Sequence, residues 1–334
     1  MNTFRRAQYW VPLIHIKLAH TQWKYAKLQM LVSNISLQHS PPQPDEITML
    51  SSLQADVYVA PGIPIPPSPY NAHNFWQPIS STLIYGEKEA VLIDTPVSIS
   101  QTEDLADWID ATLNGKTLTT IYVTHGHGDH FFGISTLLKR FPGVKAVATS
   151  GTVQHMKEQL EPDVFNSFWL GLFPGGQIAT PVAIAEPLPA DDIFFLEGHV
   201  LQAIEVGQSD TYSSTVLHVP SLKLAVCGDV VYGDNHQLFL EANTVALRSQ
   251  WLASIEKVEA LDPETVVAGH KRQFQLDGAY NLAATKKYIR TFDEVLSRSK
   301  NATELYNGML QAYPDRVNRF ILELSAGAAF NTTI

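Results

Sequence analysis

One cysteine, Cys227, in a chain of 334 residues excludes any disulfide within it, and with it the small bridge-stapled folds of many secreted proteins. Cys227 ends the apolar run Leu224-Ala225-Val226-Cys227 and reads as a buried small hydrophobe rather than a nucleophile. No stretch of 18 or more apolar residues occurs, so no transmembrane helix is expected. Basic charge is scarce: 23 Lys and Arg against 33 Asp and Glu leave a net charge of -10. Nucleic-acid binding usually needs a basic surplus, so such a partner is not expected. Acid is missing from the first 44 residues, which carry Arg5, Arg6, Lys17, Lys24 and Lys27 but no carboxylate before Asp45. Pro12 interrupts any helix there, and no clean secretory apolar region is present. Residues 1–46 are expected to form a loosely attached N-terminal extension. A cytoplasmic location is expected, with mitochondrial targeting by residues 1–44 as the minor alternative. Also missing are a Gly-x-Ser-x-Gly elbow, a phosphate-binding Gly-x4-Gly-Lys-(Ser/Thr) loop and a cysteine cluster.

What is present is a large apolar fraction, 45%, enough for a sizeable core. Ser40-Pro41-Pro42-Gln43-Pro44 reads as a linker. Beyond it strands and helices alternate. Val91-Leu92-Ile93-Asp94 is a short strand ending in an acid, and Leu105, Trp108, Ile109 and Leu113 fall at helical spacing with Thr102 as a plausible cap. Ile121-Tyr122-Val123 is a strand, followed by a helix through Ile134, Leu137, Leu138 and Phe141 and a strand over 144–148. Further strands are expected at 194–196, 201–206, 215–219 and 222–228, then a helix through Trp251, Leu252, Ile255 and Val258 and a strand over 265–268. From Tyr280 the tail looks helical, broken near Pro314. Two such mixed halves fit a pair of sheets packed face to face with helices outside. The aromatic stretch 163–180 suits core packing or an apolar wall over a site.

The densest chemistry lies in Thr124-His125-Gly126-His127-Gly128-Asp129-His130, on the turn after a buried strand. Three imidazoles and a carboxylate within six residues form a ligand set for zinc and similar divalent cations. Two more candidates follow strands: Asp229 after Cys227-Gly228, and His270 after Ala268-Gly269. Tyr232 and His236 lie just beyond Asp229 and read as packing residues that could also donate hydrogen bonds; His218, mid-strand, reads as structural.

In these motifs, and in Leu92-Ile93-Asp94-Thr95, the chain resembles the metallo-β-lactamase superfamily over roughly residues 55–275. The resemblance implies an α/β fold, the αββα sandwich of two mixed β-sheets with helices on the outer faces, at 47–275, with a C-terminal helical extension at 276–334. It implies that His125 and His127 bind a first metal, that Asp129, His130 and His270 bind a second, and that Asp229 bridges the two. Asp94 would be a supporting acid near the His loop. One departure stands out. Where the family usually places a third first-site histidine, the turn Gly207-Gln208-Ser209-Asp210-Thr211 has Gln208. An amide oxygen is a poor zinc ligand, so the first site is expected to bind more weakly, with one or two zinc ions per chain. Asp210 could compensate as an acidic ligand, but a solvated turn residue is the favoured reading. A divalent cation lowers the pKa of bound water to about 7, so the expected function is a metal-dependent hydrolase of a small ester, lactone, lactam or thioester. Asp129 and Asp229 would be the catalytic acids. The alternatives are a degenerate, non-catalytic protein of the same fold and a non-heme iron oxidoreductase on the same scaffold. The expected partner is a small-molecule substrate, without nucleic acid or membrane; a homo-oligomer is possible.

Overall fold

The computed structural model describes residues 52–331; the N-terminal extension and the Pro-rich linker lie outside the described residues. One sheet holds, in spatial order, β1 (Gln54–Ala60), β4 (Ile79–Tyr85), β5 (Glu89–Ile93), β6 (Thr117–Tyr122), β7 (Lys145–Ala148) and β8 (Glu186–Pro187). The other holds β13 (Thr265–Val267), β12 (Leu224–Val226), β11 (Ser214–Val219), β10 (His199–Gly207) and β9 (Ile193–Leu196). A small hairpin pairs β2 (Pro64–Ile65) with β3 (Asn74–Phe75). Both sheets are mixed. In the first, β5 to β8 pair in parallel while β1, β4 and β5 are antiparallel. In the second, the β12–β13 pair is parallel and the rest antiparallel.

Side chains alternate across a strand, and here both faces are buried. Val91 and Ile93 of β5 meet Leu217, Val219, Val226 and Val267 of the other sheet in the central layer. Ala90 and Leu92 face outward onto α1 (Ile99–Leu113), α2 (Ile134–Arg140) and α3 (Ser150–Gln159). In the second sheet Val216, Ala225 and Val266 face outward onto α4 (Val245–Glu259), α5 (Tyr280–Leu296) and α6 (Ala302–Ala312). The last helix, α7 (Arg319–Ala329), sends Ile321 into the first outer layer and Leu322 and Ala326 into the second. This is the αββα sandwich that the alternating pattern predicts. Burying one large aliphatic side chain contributes about 1.5–3 kcal/mol, so loops leaving β5, β6 and β12 hang from firmly held strands.

The details depart from expectation in places. The cap of α1 is Ser98, whose hydroxyl accepts from Gln101 N at 3.2 Å. Thr102 lies inside the helix and donates its hydroxyl to Ser98 O at 2.7 Å. Strand β4 reads Ile-Ser-Ser-Thr-Leu-Ile-Tyr and is buried throughout; its three hydroxyl residues hide it from any search for apolar runs. In the aromatic stretch, a helical turn widened over Phe165–Trp169 carries Trp169 and Phe173 into the core. Both pack edge-on against Trp76. Core packing describes these two residues, and its consequence for the site runs through Trp76.

Candidate metal centre

Five loops meet at one edge of the sandwich, each leaving the C-terminal end of a strand: β5 (Asp94), β6 (His125 to His130), β10 (Asp210), β12 (Asp229) and β13 (His270). Hydrogen bonds lock the loops together across the sheets. Thr124 O accepts from Thr215 N at 3.0 Å and from the Thr215 hydroxyl at 2.6 Å. Gly269 N donates to Gly228 O at 2.9 Å, and Ser80 N to Gly269 O at 2.8 Å. Two glycines permit this crowding. Gly228 has φ +47°, and a Cβ there would lie 2.2 Å from Thr124 Oγ1; a Cβ on Gly269 would lie 2.2 Å from Asp229 Oδ1.

Each of four imidazoles is tied from outside through one nitrogen, which leaves the other facing inward. His270 Nδ1 is 2.6 Å from Pro78 O, and a carbonyl only accepts, so the proton is on Nδ1 and Nε2 is bare. His130 Nδ1 sits 2.9 Å from Asp94 Oδ2. Asp94 also accepts from Thr124 N and the Thr124 hydroxyl, both at 2.8 Å. That hydroxyl spends its single proton on Asp94 and so accepts from His125 Nδ1 at 3.1 Å. His127 turns Nε2 toward Glu241 Oε1 at 3.3 Å. The inward atoms are close: His125 Nε2 to His127 Nδ1 is 3.2 Å, and His130 Nε2 to His270 Nε2 is 3.3 Å.

Three carboxylates join them. Asp129, Asp210 and Asp229 are at most 3% exposed, and among the described residues their ion-pair partners are histidines, with no lysine or arginine. Asp210 Oδ2 lies 3.0 Å from His127 Nδ1 and Asp229 Oδ1 lies 3.2 Å from His130 Nε2, yet neither oxygen has a hydrogen bond. The donor atoms form two groups, His125, His127, Asp210 and Asp229, and Asp129, His130 and His270, each within 4.8 Å. Buried carboxylates facing one another and imidazole nitrogens are costly unless a positive charge lies among them. The donor set therefore fits divalent cations. Charge coupling within the cluster is strong. Burial opposes ionisation of His127 and His130, but Asp210 and Glu241 hold the first, and Asp229 and Asp94 the second, well above the usual imidazole range. Burial and nearby Asp229 push the Asp210 carboxyl up to about 6, against the pull of His127.

All six residues expected from sequence, His125, His127, Asp129, His130, Asp229 and His270, fall in this cluster. One expectation about the Gly207–Thr211 turn needs correction. Gln208 is half-buried and donates its amide to Ser209 O at 3.0 Å. Asp210, favoured as a solvated turn residue, is fully buried and faces His127. The Tyr232 hydroxyl donates to Asp229 Oδ2 at 2.5 Å, so Tyr232 belongs to the site, whereas His236 packs on Tyr288 at 2.8 Å. Sequence reasoning missed several supports. Trp76 donates its indole N–H to Asp129 Oδ2 at 2.9 Å. Gln77 brings its amide 2.7 Å from His270 Nε2 and is itself held by Asn318 at 3.2 Å. Glu241 bonds His127 and lies 3.8 Å from His155. None of these carries a motif, because each reaches the site from a segment whose path depends on the fold.

The family model described as the metallo-beta-lactamase superfamily matches residues 74–270, more than half of the chain. A curated relative, the metallo-beta-lactamase type 2 of Bacteroides fragilis, is 25% identical over 223 residues, covering 66% of this chain and 79% of that protein. Another, an atrochrysone carboxyl ACP thioesterase of a Cryptosporiopsis species, is 25% identical over 185 residues, covering 54% of this chain and 45% of the relative. Among solved structures, a metallo-beta-lactamase family protein from Thermus thermophilus superposes with a TM-score of 0.56 at 18% identity, over 82% of this chain and 93% of that one. That likeness concerns the fold.

Proposed function

The chain belongs to the metallo-beta-lactamase superfamily, and from that premise we propose that it is a metal-dependent, in the first place zinc-dependent, hydrolase of a small carbonyl substrate: an ester, lactone, lactam or thioester. The observation that carries this reading is the convergence of four inward-facing imidazole nitrogens with three buried carboxylates. His125 and His127 would hold one cation, Asp129, His130 and His270 a second, and Asp229 would be shared. Bound there, the cations would supply Lewis acidity for the carbonyl and a more acidic water.

The chain's own groups do the rest. Trp76 holds Asp129 through Oδ2, which places Asp129 to take the proton of the attacking water at its other oxygen. Tyr232 holds Asp229. Gln77, fixed by Asn318, holds its amide beside His270 Nε2 at the wall of the site. A cleft of about 410 Å³ lined by Phe75, Trp76, Pro78, Val317 and Arg272 adjoins Gln77 and suits an apolar acyl or leaving group. The names of the curated relatives, a lactamase and an acyl-carrier thioesterase, support the range of carbonyl substrates. The test is a panel assay of zinc-loaded protein with a chromogenic β-lactam, an aryl ester, an acyl lactone and an acyl thioester. Turnover of at least one, abolished by chelation and restored by zinc, is expected. Zinc-loaded protein inert toward all four would refute the reading.

A further inference from the structure

We propose that Asp210 is the third protein ligand of the first metal site, filling the role of the histidine that Gln208 replaces. The proposal rests on the reading of the cluster as a metal centre and goes beyond it in one respect: the first site is complete. The turn that carries Asp210 is built for this. Gly207 at φ +98° ends β10 beside a bulge, and Ser209 N bonds Thr211 O at 2.7 Å. In this tight turn the Gln208 amide is spent on Ser209 O, and the residue two places on enters the cluster. The Ser209 hydroxyl donates to Asp210 Oδ1 at 2.9 Å. Oδ2 is left without a hydrogen bond, fully buried and 3.0 Å from the inward nitrogen of His127, the one turned away from Glu241. A solvated turn aspartate would show neither the burial nor the orphaned oxygen.

The consequence is a symmetry that the sequence did not suggest. The first site has two imidazoles and a carboxylate, His125, His127 and Asp210. The second has His130, His270 and Asp129, and Asp229 lies between. With matching donor sets the two sites should load together rather than one weakly and one strongly. Carboxylate in place of imidazole also makes the first site harder and more anionic, which improves its standing for manganous and ferrous ions relative to a three-histidine site.

The experiment is metal stoichiometry by mass spectrometry and calorimetric titration of the full chain with Zn²⁺ alone, then with Mn²⁺ alone, each for wild type, Asp210→Asn, Asp210→Ala and Gln208→Ala. Wild type and Gln208→Ala should bind two ions, and both Asp210 variants one. Asp210→Asn keeps the shape of the side chain, so it reports even if Asp210→Ala fails to fold. Two ions retained in folded Asp210→Asn, or one lost in Gln208→Ala, would overturn the ligand assignment while leaving the metal centre standing. A wild type that binds no divalent cation would overturn the metal centre itself and this proposal with it.

Discussion

Asp94 touches no inward-facing atom of the cluster, yet it fixes two of its histidines. It accepts directly from His130 and, through the Thr124 hydroxyl, sets the tautomer of His125. It does so from a left-handed backbone, φ 61°, a conformation that Asn also tolerates. Asp94→Asn should therefore preserve the loop while facing at least one donor with an NH₂ group. Loss of such a support typically weakens metal affinity about 10- to 100-fold. Chelator competition against wild type measures it, and an unchanged zinc affinity would reduce Asp94 to a structural role.

At the scale of elements, the site depends on helices that never reach it. Arg248 of α4 is fully buried. Its Nε donates to Asp293 of α5 at 2.6 Å, its Nη1 to Ala242 O at 2.9 Å, and its guanidinium lies over Phe239 and Phe292. This clamp fixes the segment that delivers Glu241. Breaking one partner of a buried ion pair costs about 3–5 kcal/mol, but the Asp293 side chain keeps 26% exposure. Arg248→Met should thus destabilise by roughly 2–4 kcal/mol in urea unfolding. Adding Asp293→Leu should recover part of the loss, because the orphaned acid is then gone. A cost below about 1 kcal/mol for Arg248→Met would show that stacking and the ion pair do not hold these helices together.

Across the whole molecule, protons link stability to pH. His236 is buried against Tyr288, and burial together with Arg316 and Arg319 pulls its pKa down to about 3. The unfolded chain would titrate it near the ordinary value of about 6.5. A depressed imidazole binds its proton more readily in the unfolded state, so its contribution is fully present above about pH 6.5 and is lost as pH falls toward the folded value. Each such proton adds a slope of about 1.4 kcal/mol per pH unit across that window. His236→Gln should flatten the dependence of unfolding free energy on pH between 6 and 4 by up to that amount; equal slopes would contradict the assignment.

The sequence by itself determined most of the sandwich, because most of its buried strands are short apolar runs and its helices carry one apolar stripe; β4, buried throughout yet rich in hydroxyl residues, escaped that reading. It determined six of the clustered residues too, since four sit within one loop and two directly follow strand-end glycines, Gly228 and Gly269. Only the tertiary structure decided that Asp210 of the Gly207–Thr211 turn is buried against His127, because the turn that starts at Gly207 carries it there. It alone brought in Trp76, Gln77 and Glu241, whose contacts span 53, 193 and 114 positions respectively. Periodicity reports which face of an element is buried; the aim of a single polar side chain is set by the turn that carries it and by partners that meet only when the chain has closed on itself.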